Sequence, residues 1–258
     1  VSSWVPFDGW NNRTIDQHDP NMINERNNYF HKPIVQLNWY SNLDDSTTMA
    51  TSFYYSGGEG GGSGSAGSLL WKSDGSGRDY DATIARNMSD GQWKDGYGYE
   101  SRGVLRGSRN NQYTFGIMSK MEKEMSESLS MTYGLDLRTA KVEHYREVYD
   151  LLGGDFFYNS SNPNWSEEQR HRTLGDKLYY DNTNTVDWLG GYVQANYDDG
   201  AGTNAFAMFG ATTASYTAQD HFTLDNLKIE ADAELGYQMK VGGSRVLSDV
   251  WQLFGNVS

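Results

Sequence analysis

Three groups of residues in this chain have the types that chemistry needs, and each fails on spacing. Asp16, His18, Asp19 and Glu25 offer metal donors, but their spacing matches no ligand template, so the stretch reads as a solvated loop and no metal is expected. Glu143 and His144 would suit general acid–base work. The alternation around them marks a strand, where adjacent side chains point to opposite faces, so they cannot act together. The run Gly57 to Gly67 invites a phosphate cradle, yet it lacks the Gly-Lys-Ser/Thr ending and a following helix. No Gly-x-Ser-x-Gly elbow or His-Glu-x-x-His pair is present. The expectation is a chain that is not an enzyme and calls for no cofactor.

What remains is binding. Trp71, Tyr80, Trp93, Tyr97 and Tyr99 occupy one long aperiodic stretch, and Phe156, Tyr158 and Trp165 occupy another. Such rings can stack on a sugar, a peptide or an aromatic metal chelator. The competing reading, given near-equal weight, is that they pack on one another or on the rim that carries them.

The elements that must position these rings are strands. Leu129 to Arg138 places every odd residue apolar and every even residue small, polar or charged, a period of two with no helical competitor. The arm before it repeats the pattern from Gln112, with Tyr113, Phe115, Ile117 and Met121 on one face, and a charged turn at Glu122 to Ser128 joins the two. Val35, Leu37 and Trp39 alternate with Gln36 and Asn38. Similar alternation recurs near Met49–Tyr55, Leu189–Tyr197, Asn204–Tyr216, Leu235–Val241 and Trp251–Val257. In the Asn204–Tyr216 strand Ala205, Ala207, Phe209 and Ala211 compete with Phe206 and Met208, and neither face is clearly polar.

Connections follow a rule of short, long, short, long, short, medium, short. Residues 1–28, 57–111 and 151–187 read as long extracellular loops, with a helical turn capped by Ser166 inside the last. Structureless connections of that length count against a compact soluble domain. They suit an up-and-down transmembrane β-barrel, which has short periplasmic turns and long extracellular loops. The fold expected is all-β: an antiparallel barrel segment of about eight strands. Its apolar face would meet lipid, while Gln36, Asn38, Asp136, Arg138, Gln194 and Asn196 would face the lumen, more as an internal hydrogen-bonded network than as ligand contacts.

Composition agrees. The chain has 258 residues, of which 37% are hydrophobic, yet aromatics reach 14% with 18 Tyr and 8 Trp, which argues for a folded protein with polar loops. Its mean hydropathy is -0.73. A net charge of -13 without a Lys/Arg stripe argues against nucleic acid. The absence of Cys removes disulfides, thiolate zinc sites and thiol catalysis. No apolar run is long enough for a membrane-spanning helix, which leaves a barrel open. The start at Val1 without Met, and a last strand still running at the end, are expected of a piece of a longer protein or one whose signal was removed.

Three patches then resemble the barrel of TonB-dependent outer-membrane receptors. They are Tyr29-Phe30-His31-Lys32-Pro33 with Leu37-Asn38-Trp39 and Tyr54 to Gly64; Gly134 to Arg138 with Glu143 to Val148 and Leu151 to Gly154; and Gly236 to Lys240 through Phe254-Gly255-Asn256. The resemblance implies import of a scarce nutrient across the outer membrane of a Gram-negative bacterium. It also implies a barrel of about 22 strands, a plug domain and a TonB-contacting segment, of which this sequence carries roughly a third of the barrel and neither of the other parts. Lipid, plug, TonB and a small-molecule or oligomeric nutrient are the partners implied. The rival expectation is a secreted soluble β-domain that binds carbohydrate through its aromatic loops. The two differ in one respect: a sandwich would bury Val35, Leu37, Trp39, Leu135 and Leu137 between sheets, and a barrel wall would leave them open.

Overall fold

A computed structural model describes residues 23, 25–75, 77–224 and 226–258. In chain order, β1 (Asn28–His31) and β2 (Ile34–Asp44) are followed by β3 (Thr47–Gly67) and helix α1 (Tyr80–Asn87). The short strands β4 (Trp93–Lys94) and β5 (Gly98–Tyr99) precede two long ones, β6 (Gly103–Ser126) and β7 (Leu129–Asp150). Another short pair, β8 (Phe157–Tyr158) and β9 (His171–Arg172), leads to β10 (Lys177–Asp198), β11 (Thr203–Asp220), β12 (Leu227–Ser248) and β13 (Trp251–Val257). Among the described residues no helix is long and apolar enough to cross a membrane.

The long strands form one antiparallel sheet in the order β1-β3-β6-β7-β10-β11-β12-β13, with β2 also on β3. Strands β1 and β2 lie end to end along β3. They part at Lys32-Pro33, because proline has no N–H to give the ladder; the Pro33 carbonyl still accepts from the Gly57 N–H at 3.0 Å. The wall is therefore eight strands wide and up-and-down throughout, as the alternation implied.

One face of this wall is apolar and uncovered. Leu37, Phe53, Ile117, Leu137, Leu189 and Leu235 fall in one cross-strand row. Leu37 is 66% and Leu235 76% exposed, so no second sheet packs on them, and the soluble-sandwich alternative loses its defining feature. Strands β6, β7, β10 and β11 are paired on both edges, so their backbone is satisfied within the sheet, as a lipid environment demands, while β12 meets β13 only at Val241–Ser248. The doubtful strand, β11, resolves too. Ala205, Ala207, Phe209 and Ala211 share the apolar face, paired to Tyr197, Ala195, Val193 and Gly191, and Met208 turns to the other side.

The loop boundaries need correction. The stretch 57–111 is not a loop throughout: Gly57–Gly67 completes β3 and pairs residue for residue with Tyr113 down to Gly103, leaving 68–102 as the connection. Glycine has no side chain to display a period of two, yet its backbone donates and accepts like any other. The second loop shrinks from 151–187 to 151–176, because β10 already begins at Lys177. Of 1–28, Asn28 belongs to β1, and Asp16, His18 and Asp19 lie outside the described residues. The turn after β6 contracts to Glu127 and Ser128.

Buried apolar side chains gather mostly at the loop-side ends of β6, β7 and β10 and in the connections beside them. Val104, Val148, Leu151, Phe157 and Leu178 form one cluster, and Leu69, Tyr80, Leu105 and Leu152 a second. Helix α1, which the sequence pattern did not reveal, seals the second. Asp79 caps it by accepting from the Ala82 N–H at 2.9 Å. Asn87, fully buried, donates to the carbonyls of Gly103 and Leu152 at 3.0 Å and accepts from the Arg102 N–H at 3.0 Å. That one amide ties the loop to the ends of β6 and β7.

Candidate functional site

The two loop hairpins, β4–β5 and β8–β9, are brought side by side by backbone bonds. Glu100 bridges Phe156 in parallel, the Asp155 N–H donates to the Tyr99 carbonyl at 2.8 Å, and the Asp155 carboxylate accepts from the Tyr99 N–H at 2.8 Å. Gly98 is required at this junction: its φ is +94°, and a Cβ would stand 2.4 Å from the Asp155 Oδ2.

His171 is the centre of the arrangement. Tyr97 stacks on it with ring centroids 3.7 Å apart and planes within 4°, Phe156 tilts against it at 4.5 Å, and Tyr158 presents an edge at 5.6 Å. Its Nδ1 lies 2.7 Å from the Glu167 carbonyl, which can only accept, so Nδ1 carries the proton and fixes the ring. Trp93 sits edge-on to Tyr99 at 5.0 Å. Trp93, Tyr97, Phe156, Tyr158 and His171 line a cleft of ≈ 680 Å³, a size that fits a small ligand. Its rim carries three carboxylates, Asp95, Glu100 and Glu167, against Lys94 and Arg102. Glu100 meets Arg102 at 3.1 Å and Lys94 at 3.8 Å, and Glu167 accepts from the Tyr158 hydroxyl at 3.0 Å.

Of the eight loop aromatics singled out, this cleft gathers Trp93, Tyr97, Phe156 and Tyr158, with Tyr99 behind Trp93. Phe156 is buried as a floor and offers little surface. The other three lie elsewhere. Trp71 is on a separate turn under the Arg78 guanidinium, 4.3 Å above its ring. Trp165 packs edge-on against Phe222 at 4.6 Å with Arg172 3.5 Å over its face. Tyr80 is fully buried on α1, its hydroxyl 3.4 Å from the Glu25 carboxylate. Burial, then the neighbouring Glu25 charge, raises that phenol above its ordinary range. Glu25 itself is pushed up by burial but pulled down further by hydrogen bonds from Ser65 and Arg78, so its carboxyl ends below the usual range. Sequence reasoning placed His171 only in a helical turn. The turn exists as Glu168–Arg170, with the Ser166 hydroxyl accepting from the Gln169 N–H at 3.3 Å.

Glu143 and His144 do point apart: Glu143 pairs with Lys141 at 2.7 Å on the outer side, and His144 meets Asn110 at 2.6 Å on the inner. Among the described residues no three His, Asp or Glu side chains converge as a metal site.

The opposite face of the wall carries the six polar residues assigned to the lumen. Asn38 and Asp136 line a trough of ≈ 740 Å³ together with Lys120, Trp188, Tyr192 and Gln238. Gln36 and Arg138 fall in one row of this face, and Gln194 and Asn196 share it farther along β10. They bond largely to one another: Gln36 donates to Asn38 at 3.0 Å and to Ser52 at 2.8 Å, Arg138 to Asp136 at 3.2 Å, and Gln194 to Asn196 at 2.6 Å.

No protein-family profile matches the sequence, and no curated protein matches it. Solved structures do. The unliganded ferric citrate transporter FecA aligns at a TM-score of 0.54 and 11% identity, over 90% of this chain and 27% of that one. The open form of the ferric-catecholate import receptor Fiu from E. coli K12 aligns at 0.52 and 9% identity, over 90% and 36%. The chain thus spans about a third of the length of these structures. At such identities the likeness speaks to architecture alone: the chain is folded like a segment of the outer-membrane β-barrel wall of these two proteins.

Proposed function

We propose that this chain is part of an outer-membrane receptor of a Gram-negative bacterium that captures a scarce nutrient and, with a plug domain and TonB supplied by the rest of the protein and its partners, imports it. The observation that carries the reading is the joining of a lipid-facing wall to an aromatic cleft on its loop side. Trp93, Tyr97, Tyr158 and the His171 ring provide stacking surfaces there, and a rim carrying both signs of charge offers polar contacts that orient a ligand. The role is binding and passage, with no covalent chemistry. Metal chelates, as named for the ferric citrate and ferric-catecholate proteins of like fold, head the nutrient classes, ahead of oligosaccharides and peptides.

The test is uptake by cells that carry the intact receptor, using iron-loaded siderophores, labelled oligosaccharides and labelled peptides in parallel. One class should accumulate only when TonB is present. Trp93→Ala or Tyr97→Ala should then lower its binding about ten-fold, the worth of one lost stacking contact. Accumulation that ignores TonB, or none in any class, refutes the proposal.

A further inference from the structure

On the inner face, between the polar trough and the loop cap, lies a second hollow of ≈ 830 Å³ whose lining includes Lys32, Arg106, Ser108, Asn110, Gln112 and His144. Among the described residues no Asp or Glu lines it, although the chain has 34 acidic residues against 21 basic ones. Six other arginines, Arg78, Arg102, Arg109, Arg138, Arg170 and Arg245, each have a carboxylate within 4.0 Å, whereas Arg86 and Arg172, away from this hollow, do not. Among the described residues Arg106 and Arg146 have none, yet they converge on one hydroxyl. Arg106 Nη1 donates to Ser108 Oγ at 2.6 Å, and Arg146 Nε donates to the same oxygen at 3.3 Å. A neutral hydroxyl orients two guanidiniums but does not offset their mutual repulsion.

The surroundings hold this pair in place and keep the space before it open. The rings of Tyr179 and Tyr180 lie 5.5 and 5.2 Å from the Arg146 guanidinium. Across the ladder Gly60, Gly62 and Gly64 face Asn110, Ser108 and Arg106, so at these three positions β3 contributes no side chain. A Cβ on Gly64 would stand 2.9 Å from Arg106 Nη2 and would shift the guanidinium from its present place. The combination is two forked cations held on one hydroxyl, with Arg106 lining the hollow beside the amides of Asn110 and Gln112, which is a donor set for a planar or tetrahedral oxyanion.

We propose that Arg106 and Arg146, positioned by Ser108, form an oxyanion-binding site on the inner face of the wall that takes a carboxylate or phosphate group. The site rests on strand geometry and stands whether or not the loop cleft binds the nutrient. Calorimetric titration of the intact, folded membrane protein at low ionic strength tests it, with inorganic phosphate and succinate as probes and glucose as the uncharged control. Phosphate or succinate should saturate one site per chain and glucose should not; the tighter of the two identifies the group.

Arg106→Gln and Arg146→Gln should each weaken binding about ten-fold, the loss of one charge-assisted contact. Arg106→Lys should recover most of it, and Arg245→Gln, in the Asp199 turn, should change nothing. If Arg106→Gln does not fold, the unaltered protein decides: rising chloride must displace the probe. No saturable anion binding, equal binding by the folded double glutamine variant, or indifference to chloride overturns the proposal.

Discussion

Asn87 shows how much one side chain can organise. Its amide satisfies three backbone groups from separate segments while fully buried, so Asn87→Ala leaves two carbonyls and an N–H without partners. The expected cost is about 2–3 kcal/mol of local stability. Limited proteolysis of the 68–102 loop should accelerate while the wall stays resistant. Nothing in the sequence flagged Asn87, because its partners are carbonyls brought near only by the strand ends. The cleft was half legible for the same reason. Aromatic content marked Trp93, Tyr97 and Tyr158 as surfaces, but that Tyr97 stacks on His171 depends on two hairpins meeting. Tyr80 looked like its neighbours in composition and turned out to be core.

Among the elements, the β10–β11 turn carries a pH response. The Thr203 hydroxyl and N–H, with the Ala201 N–H and the Arg245 charge, hold the Asp199 carboxyl down at about 2. A lowered pKa means stabilisation that is complete above the ordinary aspartate value of about 4 and lost as pH falls through about 2. The hydrogen-exchange protection factors of residues 199–203, taken relative to the intrinsic rate at each pH, should therefore be flat from neutral pH to about 4 and fall below it, and Asp199→Asn should abolish that fall. The strands themselves were the most readable part of the chain. Apolar and polar residues alternate plainly in β2, β7 and the membrane part of β12, and their faces fell where alternation put them. Helix α1 was not readable, since eight residues with Thr83 and Asn87 among the buried ones show no apolar stripe.

For the whole molecule, the decisive property is that no described residue covers the apolar face. Leu137→Arg should cost about 2–4 kcal/mol of insertion stability, falling toward zero for sites near the membrane interface. Asp136→Asn, one residue away but on the inner face, should insert normally. Equal behaviour of the two in a lipid-vesicle folding assay would mean the wall does not face lipid. The glycine half of β3 bears on how such a wall comes together. Pairing register is set by side chains that must reach one face or the other, and from Gly57 to Gly67 only Glu59, Ser63, Ser65 and Ala66 carry any, none of them large and apolar. Alignment of β3 with β6 must then be decided at Thr47–Ser56, where Phe53 meets Ile117 and Thr51 shares a hydrogen bond of 2.8 Å with Ser119. The seam closes like a zipper from its membrane end outward, and the stretch beside the inner hollow is the last to fasten and the first to open.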